Sequence, residues 1–307
     1  MGKIFVTTYT NPDLDGVACA VAYSELLDKR GMRAEAGVFG EINDETGLVM
    51  ERFRIDAPKK GEALVDDSKE IVLVDVSSRF GLSNMIELAR VTELIDHHKL
   101  SMGDELKKAR LQIELVGAAA TLVGERFLNE KVDISQKSAC LLYYAIISNT
   151  INLKNSVTTS RDVAMADWLS KRFEFEPDYT EELFRLKSRF KRPVEIVLSA
   201  ELARQEFNGK RVGISQVEIV DTAQFIRENP GKIKEVLGNA RKELDFAFLS
   251  CVDIKEYCNR FVVADKESRV FAESLLGVRF RNDLARRNGI LMRKEIWPLV
   301  KQMLEGK

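Results

Sequence analysis

Apolar residues in the first half of the chain come in short runs that alternate with longer stretches of helical spacing. Ile4-Phe5-Val6 reads as a strand, followed by a loop and an amphipathic segment from Val17 to Lys29. Ile71-Val72-Leu73-Val74 reads as a second strand, Ser83 to Arg90 as a helix, and Val91 to Ile95 as a third strand. Strand, loop and helix in repeated order predict a largely parallel sheet covered by helices, because parallel neighbours need a crossover. Gly117 to Phe127, Ile134 to Ile147 and Arg161 to Phe173 carry small and apolar residues at the spacing of core-facing helices.

The helical pattern then thins into the basic stretch Leu186-Lys187-Ser188-Arg189-Phe190-Lys191-Arg192-Pro193, after which strand signals resume. Val212 to Val220, Ala247 to Val252 and Arg260 to Ala264 read as strands, with a helical stretch opening at Thr222. The expected fold class is α/β in two domains: residues 1–188, a linker at 189–193, and a smaller α/β domain at 194–307. A length of 307 residues suits that division.

Charge narrows the partners. Lys and Arg total 47 against 48 for Asp and Glu, so nothing global draws the chain to nucleic acid or an anionic membrane, and any phosphate recognition must be local. Between Arg279 and Lys294 six basic residues stand against the single acid Asp283, which reads either as a solvated face or as an anion site. The four cysteines show no CxxC spacing and read as small buried hydrophobes. The N-terminus reads as a strand rather than a signal peptide, and no run approaches the ~18 apolar residues of a membrane span. The expected compartment is the cytoplasm.

The chemistry concentrates at strand ends. Both histidines of the chain, His97 and His98, stand directly behind Asp96 at the end of the third predicted strand. Asp13 and Asp15 follow the first strand and Asp75 the second. Parallel strands place such ends along one edge of the sheet, where carboxylates and imidazoles could converge as metal ligands or proton-transfer groups. Against this stands a plainer reading, in which two histidines coincide in a surface loop and Asp13 merely caps a helix.

Taken in order, the motifs resemble a known superfamily. They are Asn11-Pro12-Asp13-x-Asp15, Val74-Asp75, Asp96-His97-His98, Gly117-Ala118-Ala119-Ala120-Thr121, Ile146-Ile147-Ser148-Asn149-Thr150 with Lys154, and Thr158-Thr159-x-x-Asp162. Ile214-Ser215-Gln216-Val217 and Arg293-Lys294 follow in the second half. The pattern resembles the DHH phosphoesterase superfamily with a DHHA2 domain, in particular the manganese-dependent (family II) inorganic pyrophosphatases and their exopolyphosphatase and prune-like relatives. That resemblance implies a parallel-sheet DHH catalytic domain, a DHHA2 substrate-binding domain and an active site in the cleft between them. It implies hydrolysis of a phosphoanhydride (pyrophosphate, short polyphosphate or a nucleotide) by a metal-activated water, with one or two Mn²⁺ or Mg²⁺ ions, and it raises homodimerisation as an expectation.

Carried over by residue, the resemblance makes Asp75 a ligand shared by both ions, Asp13 a ligand of one, and Asp15 and His97 ligands of the other. His98 would face the substrate phosphate as donor or acid. Asp96 would orient a neighbouring imidazole, and Arg293 and Lys294 would clamp the far phosphoryl group. Two positions depart from the pattern: Tyr9 stands where the pyrophosphatases carry a ligating histidine, and Asn149 where they carry a shared aspartate. Arg204 or Gln205 replaces a substrate lysine, Lys154 reads equally as a cleft residue or an exposed loop lysine, and Asp162 reads as a helix brace. The departures keep two alternatives open, a catalytically weakened phosphate- or nucleotide-binding regulatory protein on the same fold and a DHH phosphodiesterase of small nucleotides.

Overall fold

A computed structural model describes residues 2–76, 79, 81–98 and 105–306, the side chain of Lys294 excepted. These divide into two compact units, residues 1–153 with 157–183, and residues 184–307 with 154–156.

In the first unit the chain runs β1 (Lys3–Thr7), α1 (Leu14–Lys29), β2 (Ala34–Val38), α2 (Asp44–Arg52), β3 (Lys59–Lys60), β4 (Ser68–Val74), β5 (Val91–Asp96) and β6 (Arg110–Ile113). Four helices follow, α3 (Ala119–Glu130), α4 (Gln136–Asn149), α5 (Ser160–Ser170) and α6 (Tyr179–Lys187), the unit division falling within the last. The six strands form one sheet in the order β3-β2-β1-β4-β5-β6, and every neighbouring pair is parallel. The carboxyl-terminal halves of the central strands, Phe5-Val6, Ile71-Val72-Leu73-Val74 and Leu94-Ile95, are apolar and buried because both faces are covered there. Phe5, Ile71, Leu73 and Leu94 pack on one face with Phe39, Leu64 and Ile86, while α1 lies against β1, β2 and β4 and packs on α3 and α4. Each large side chain so buried contributes about 1.5–3 kcal/mol.

One expectation about this unit needs correcting, and one strand is not foreseen by the sequence pattern. Ser83 to Arg90 is not a helix but a turn-rich segment ending in a 3-10 turn at Leu88–Arg90. Its apolar residues Leu82, Ile86 and Leu88 reach the core without helical regularity. The strand β2 carries no strand-like apolar run because its place beside β1 demands a small residue: a Cβ on Gly37 would meet Leu64 Cδ1 at 2.7 Å and Phe5 Cε2 at 2.9 Å.

The second unit holds α7 (Val194–Ala200), β7 (Leu202–Phe207), β8 (Lys210–Ile219), α8 (Thr222–Glu228), α9 (Pro230–Ala240), β9 (Phe246–Asp253), β10 (Cys258–Val263), α10 (Lys266–Leu276), β11 (Leu284–Asn288) and α11 (Arg293–Glu305). Its sheet runs β11-β10-β9-β8-β7 and is mixed, with β8 and β9 parallel and the other pairs antiparallel. The protein is thus a two-unit α/β molecule. The helical stretch opening at Thr222 breaks at Asn229-Pro230 into α8 and α9, since proline suits a first helical turn but not a helix interior. A buried ion pair braces this unit: Arg260 donates to Asp253 over 2.9 Å, and Asp253 also accepts from the Thr222 amide and hydroxyl and the Lys255 and Glu256 amides.

Candidate metal centre

Chain direction places the chemistry. From β1 the chain goes next to β2 on one side, whereas β4 continues to β5 on the other. Strand order therefore reverses between β1 and β4, and such a reversal opens a crevice beyond the carboxyl ends of the two strands. The loop after β1 ends at Asp13, Asp15 stands in the first turn of α1, and Asp75 directly follows β4.

Asp13 is the N-cap of α1, its Oδ1 accepting from the amides of Asp15 at 2.9 Å and Gly16 at 3.1 Å. The cap occupies one carboxylate oxygen of two, so capping and a ligand role are compatible. Tyr9 anchors the same loop: its hydroxyl accepts from the Asp13 amide at 2.9 Å, and burial followed by the Asp13 and Asp75 charges holds the phenol well above its usual range. A phenol so held stays neutral and makes a poor metal ligand.

Asp15, in α1, is fully buried against the start of α3. It accepts from the amides of Ala119 and Ala120, each at 2.8 Å, and from the Asn149 side-chain amide at 2.7 Å. The Cys19 thiol adds a weak contact at 3.5 Å. A carboxylate suits these positions because a helix N-terminus presents free N–H groups and positive potential. Burial nevertheless dominates and, with the Asp13 charge, pushes Asp15 up to about 6 against the pull of His97 and the two amides.

Asp75 stands in the left-handed region with φ 55°, its amide bonded to the Ile95 carbonyl at 2.8 Å. Non-glycine residues seldom hold this conformation, although aspartate tolerates it better than most. Its Oδ1 is buried with no hydrogen-bond partner among the described residues. His97 Nε2 lies 3.5 Å from that oxygen and 3.9 Å from Asp15 Oδ2. Burial first, then the charges of Asp15 and Asp13, hold the Asp75 carboxyl well above its ordinary value.

The histidines face different partners. His97 is mostly buried, and its Nδ1 lies 3.0 Å from the Val116 carbonyl. A carbonyl only accepts, so Nδ1 carries the hydrogen, and Nε2 is the ring nitrogen that faces the carboxylates. His98 is exposed, its Nδ1 3.0 Å from Asp96 Oδ1 and its amide bonded to Asp96 Oδ2 at 3.2 Å. Asp96 thus orients His98, while a main-chain carbonyl orients His97. The Asp96 hydrogen bond raises the His98 pKa above its ordinary value.

Asp75, Asp96, His97 and His98 present ligand atoms that all lie within 4.8 Å of one another. An unpaired buried carboxylate oxygen, other carboxylates crowding it and an imidazole nitrogen turned toward it form a donor set suited to a divalent cation. The second acidic group with ligand-like spacing, Asp253, Glu256 and Cys258, is different: Arg260 already neutralises it, bonding Asp253 and Glu256.

The remaining expected residues lie in the second unit. Arg293 opens α11; its guanidinium donates to the Glu201 and Ile214 carbonyls and its amide to Gln216 Oε1. The Lys294 side chain is outside the described residues. Arg204 is exposed on β7 and bonds the Leu202 carbonyl, and exposed Lys154 lies over the Tyr257 ring at 5.5 Å. Residue-by-residue reading missed the Val116 carbonyl and the Ala119 and Ala120 amides, which are main-chain groups without a side-chain signature.

Residues 3–146 match the family described as DHH family, N-terminal domain. The match spans the whole parallel sheet and most of α4. Beyond it, the whole chain is similar to a "Probable manganese-dependent inorganic pyrophosphatase" of Clostridium acetobutylicum, 28% identical over 309 residues that cover 99% of both chains. A relative of the same description from Bacillus pumilus is 29% identical over 300 residues, 96% of each. Among solved structures, the Methanococcus jannaschii "putative family II inorganic pyrophosphatase" superposes with a TM-score of 0.71 at 25% identity, covering 99% of this chain and 100% of the other. The crevice between β1 and β4, with its carboxylates, lies within the stretch that matches the family.

Proposed function

We propose that this protein is a metal-dependent phosphohydrolase that cleaves a phosphoanhydride, with pyrophosphate the first substrate to test and manganese the first ion. The observation that carries the reading is the buried, unpaired Oδ1 of Asp75 beside His97 Nε2 at 3.5 Å. Such a group is costly to bury unless a cation compensates it. Asp75 and His97, with Asp13 and Asp15, form the metal-holding set, and Asn149 contributes an amide rather than a charge. A bound divalent cation supplies positive charge against phosphoryl oxygens and activates water.

The chain's own residues do the rest. Asp96 keeps His98 in one orientation and favours its protonated form, so the exposed imidazolium can donate to a phosphate oxygen or hand a proton to the leaving group. The α3 N-terminus and Asn149 hold Asp15 in place, and Tyr9 fixes the Asp13 loop. The partner is a small phosphorylated molecule; the balanced charge of the chain disfavours nucleic acid. No helix among the described residues is long and apolar enough to cross a membrane, and four free, buried cysteines suit a reducing cytoplasm. The homodimer expected of the family is retained as part of this proposal.

Purified protein supplied with Mn²⁺, Mg²⁺ or Co²⁺ should release phosphate from pyrophosphate, short polyphosphate or a nucleotide. Folded protein that turns over none of them with any ion sinks the reading. Tyr9 and Asn149 favour one competitor, a phosphate- or nucleotide-binding protein with weakened chemistry, which tight binding without turnover would reveal.

A further inference from the structure

Asp162 is wholly buried near the start of α5, where it completes a capping box with Thr159. Capping explains its bonds to the Thr159 amide and hydroxyl, both 2.7 Å. It does not explain why both Asp162 oxygens also accept from the Gly117 amide, at 3.0 and 2.9 Å, from a residue 45 positions earlier. The Thr121 hydroxyl at 2.6 Å holds the carboxylate from the α3 side. Position 117 is shaped to admit it: a Cβ there would meet Thr150 Cγ2 at 2.5 Å and Asp162 Oδ2 at 3.0 Å.

The Gly117 N–H and the Val116 carbonyl are opposite ends of one planar peptide group. At one end sits the Asp162 carboxylate, and at the other the carbonyl receives His97 Nδ1 at 3.0 Å. We propose that Asp162 is a positioning residue for His97, acting through the Val116–Gly117 peptide group to hold a hydrogen on Nδ1 and so keep Nε2 turned toward Asp75 and Asp15. An anion accepting from the N–H end draws electron density toward the carbonyl oxygen, which strengthens that oxygen as an acceptor. The stronger the acceptor, the more firmly the hydrogen stays on Nδ1. A carboxylate partner to a ligating histidine is a familiar arrangement, and here a peptide group stands between the two. The inference rests on His97 serving as a metal ligand.

The imidazole ¹⁵N spectrum of the metal-free wild-type protein near about pH 8, where an ordinary imidazole is neutral, should show His97 protonated at Nδ1 and bare at Nε2. The reverse tautomer overturns the proposal. Asp162→Asn keeps the shape and removes the charge; it should weaken the tautomer preference and lower Mn²⁺ affinity about 10- to 100-fold. Thr159→Val removes a cap hydroxyl and leaves the carboxylate on Gly117, so it should cost stability while both readouts stay near wild type. Asp162→Asn indistinguishable from wild type, or Thr159→Val losing as much affinity, overturns the proposal. If Asp162→Asn does not fold, Gly117→Ala, whose methyl would crowd Thr150 and the Asp162 carboxylate with its charge intact, must weaken the same two readouts, and unchanged values there are equally fatal. None of these readouts needs turnover, so absence of phosphate release would sink the hydrolase reading and leave this one standing.

Discussion

The side-chain amide of Asn149 donates to Oδ2 of Asp15 over 2.7 Å. With the Ala119 and Ala120 amides, it holds the buried Asp15 carboxylate by three hydrogen bonds. A carboxylate at position 149 would have no hydrogen to give and would add a like charge to a buried one. Asn149→Asp should therefore lower the metal-free melting temperature by several degrees, of the order produced by about 1–3 kcal/mol, and should bind Mn²⁺ more tightly. Thermal scans with and without Mn²⁺ check both halves. An unchanged metal-free scan would show that the amide bond contributes nothing.

Tyr9→His combined with Asn149→Asp adds an imidazole beside Asp13 and a charge beside Asp15. Elemental analysis of the wild type after Mn²⁺ loading should give close to one ion per chain, and the double variant close to two. Two ions in the wild type would mean that Tyr9 and Asn149 do not limit loading.

Asp75→Asn should have effects of opposite sign on stability and on metal binding. Burial and neighbouring carboxylates raise the Asp75 pKa, so the folded state holds a proton there that the unfolded chain releases. That difference destabilises the metal-free protein progressively as pH rises above the unfolded value of about 3.9. Removing the charge should raise the metal-free melting temperature near neutral pH while abolishing the rise that Mn²⁺ produces. A lower melting temperature for metal-free Asp75→Asn at pH 7 would refute this account of the site.

His98 titrates in the opposite sense. Its folded pKa is raised by the Asp96 bond, so the pair stabilises fully below the unfolded value of about 6.5 and that contribution is lost as pH rises through the folded pKa. In metal-free protein the His98 ring should titrate above that reference by NMR, and Asp96→Asn should bring it down. Equal midpoints in the two proteins would detach His98 from Asp96.

In the second unit, Arg260→Ala would leave Asp253 buried without its cation, a loss of about 3 kcal/mol. Against its burial, the Glu256 and Thr222 bonds and then Arg260 hold Asp253 below its ordinary value, so its contribution is present above about pH 3.9 and lost as pH falls through the folded value. Denaturant unfolding near neutrality should expose the loss, and an unaltered midpoint would contradict it.

The parts of the fold legible in the sequence are those buried on both faces. The strands β1, β4 and β5 announce themselves because buried parallel strands need apolar runs where both faces are covered, and the carboxylates behind them follow from chain direction. The strand β2 hides because packing against Phe5 and Leu64 forces Gly37 into it. Ser83 to Arg90 misleads because Leu82 and Ile86 reach the core from turns. Main-chain groups were the least visible part of the site: nothing in the letters Val116 or Ala119 says that a carbonyl aims a histidine or that an amide holds an aspartate.

Asp15 seats the start of α3, so a lineage that had abandoned the chemistry would still keep it for shape. Asp75 offers no such service: its backbone conformation is uncommon and its buried oxygen is unmatched among the described residues. Persistence of aspartate at 75 rather than at 15 is therefore the historical record of whether a descendant still has use for an ion.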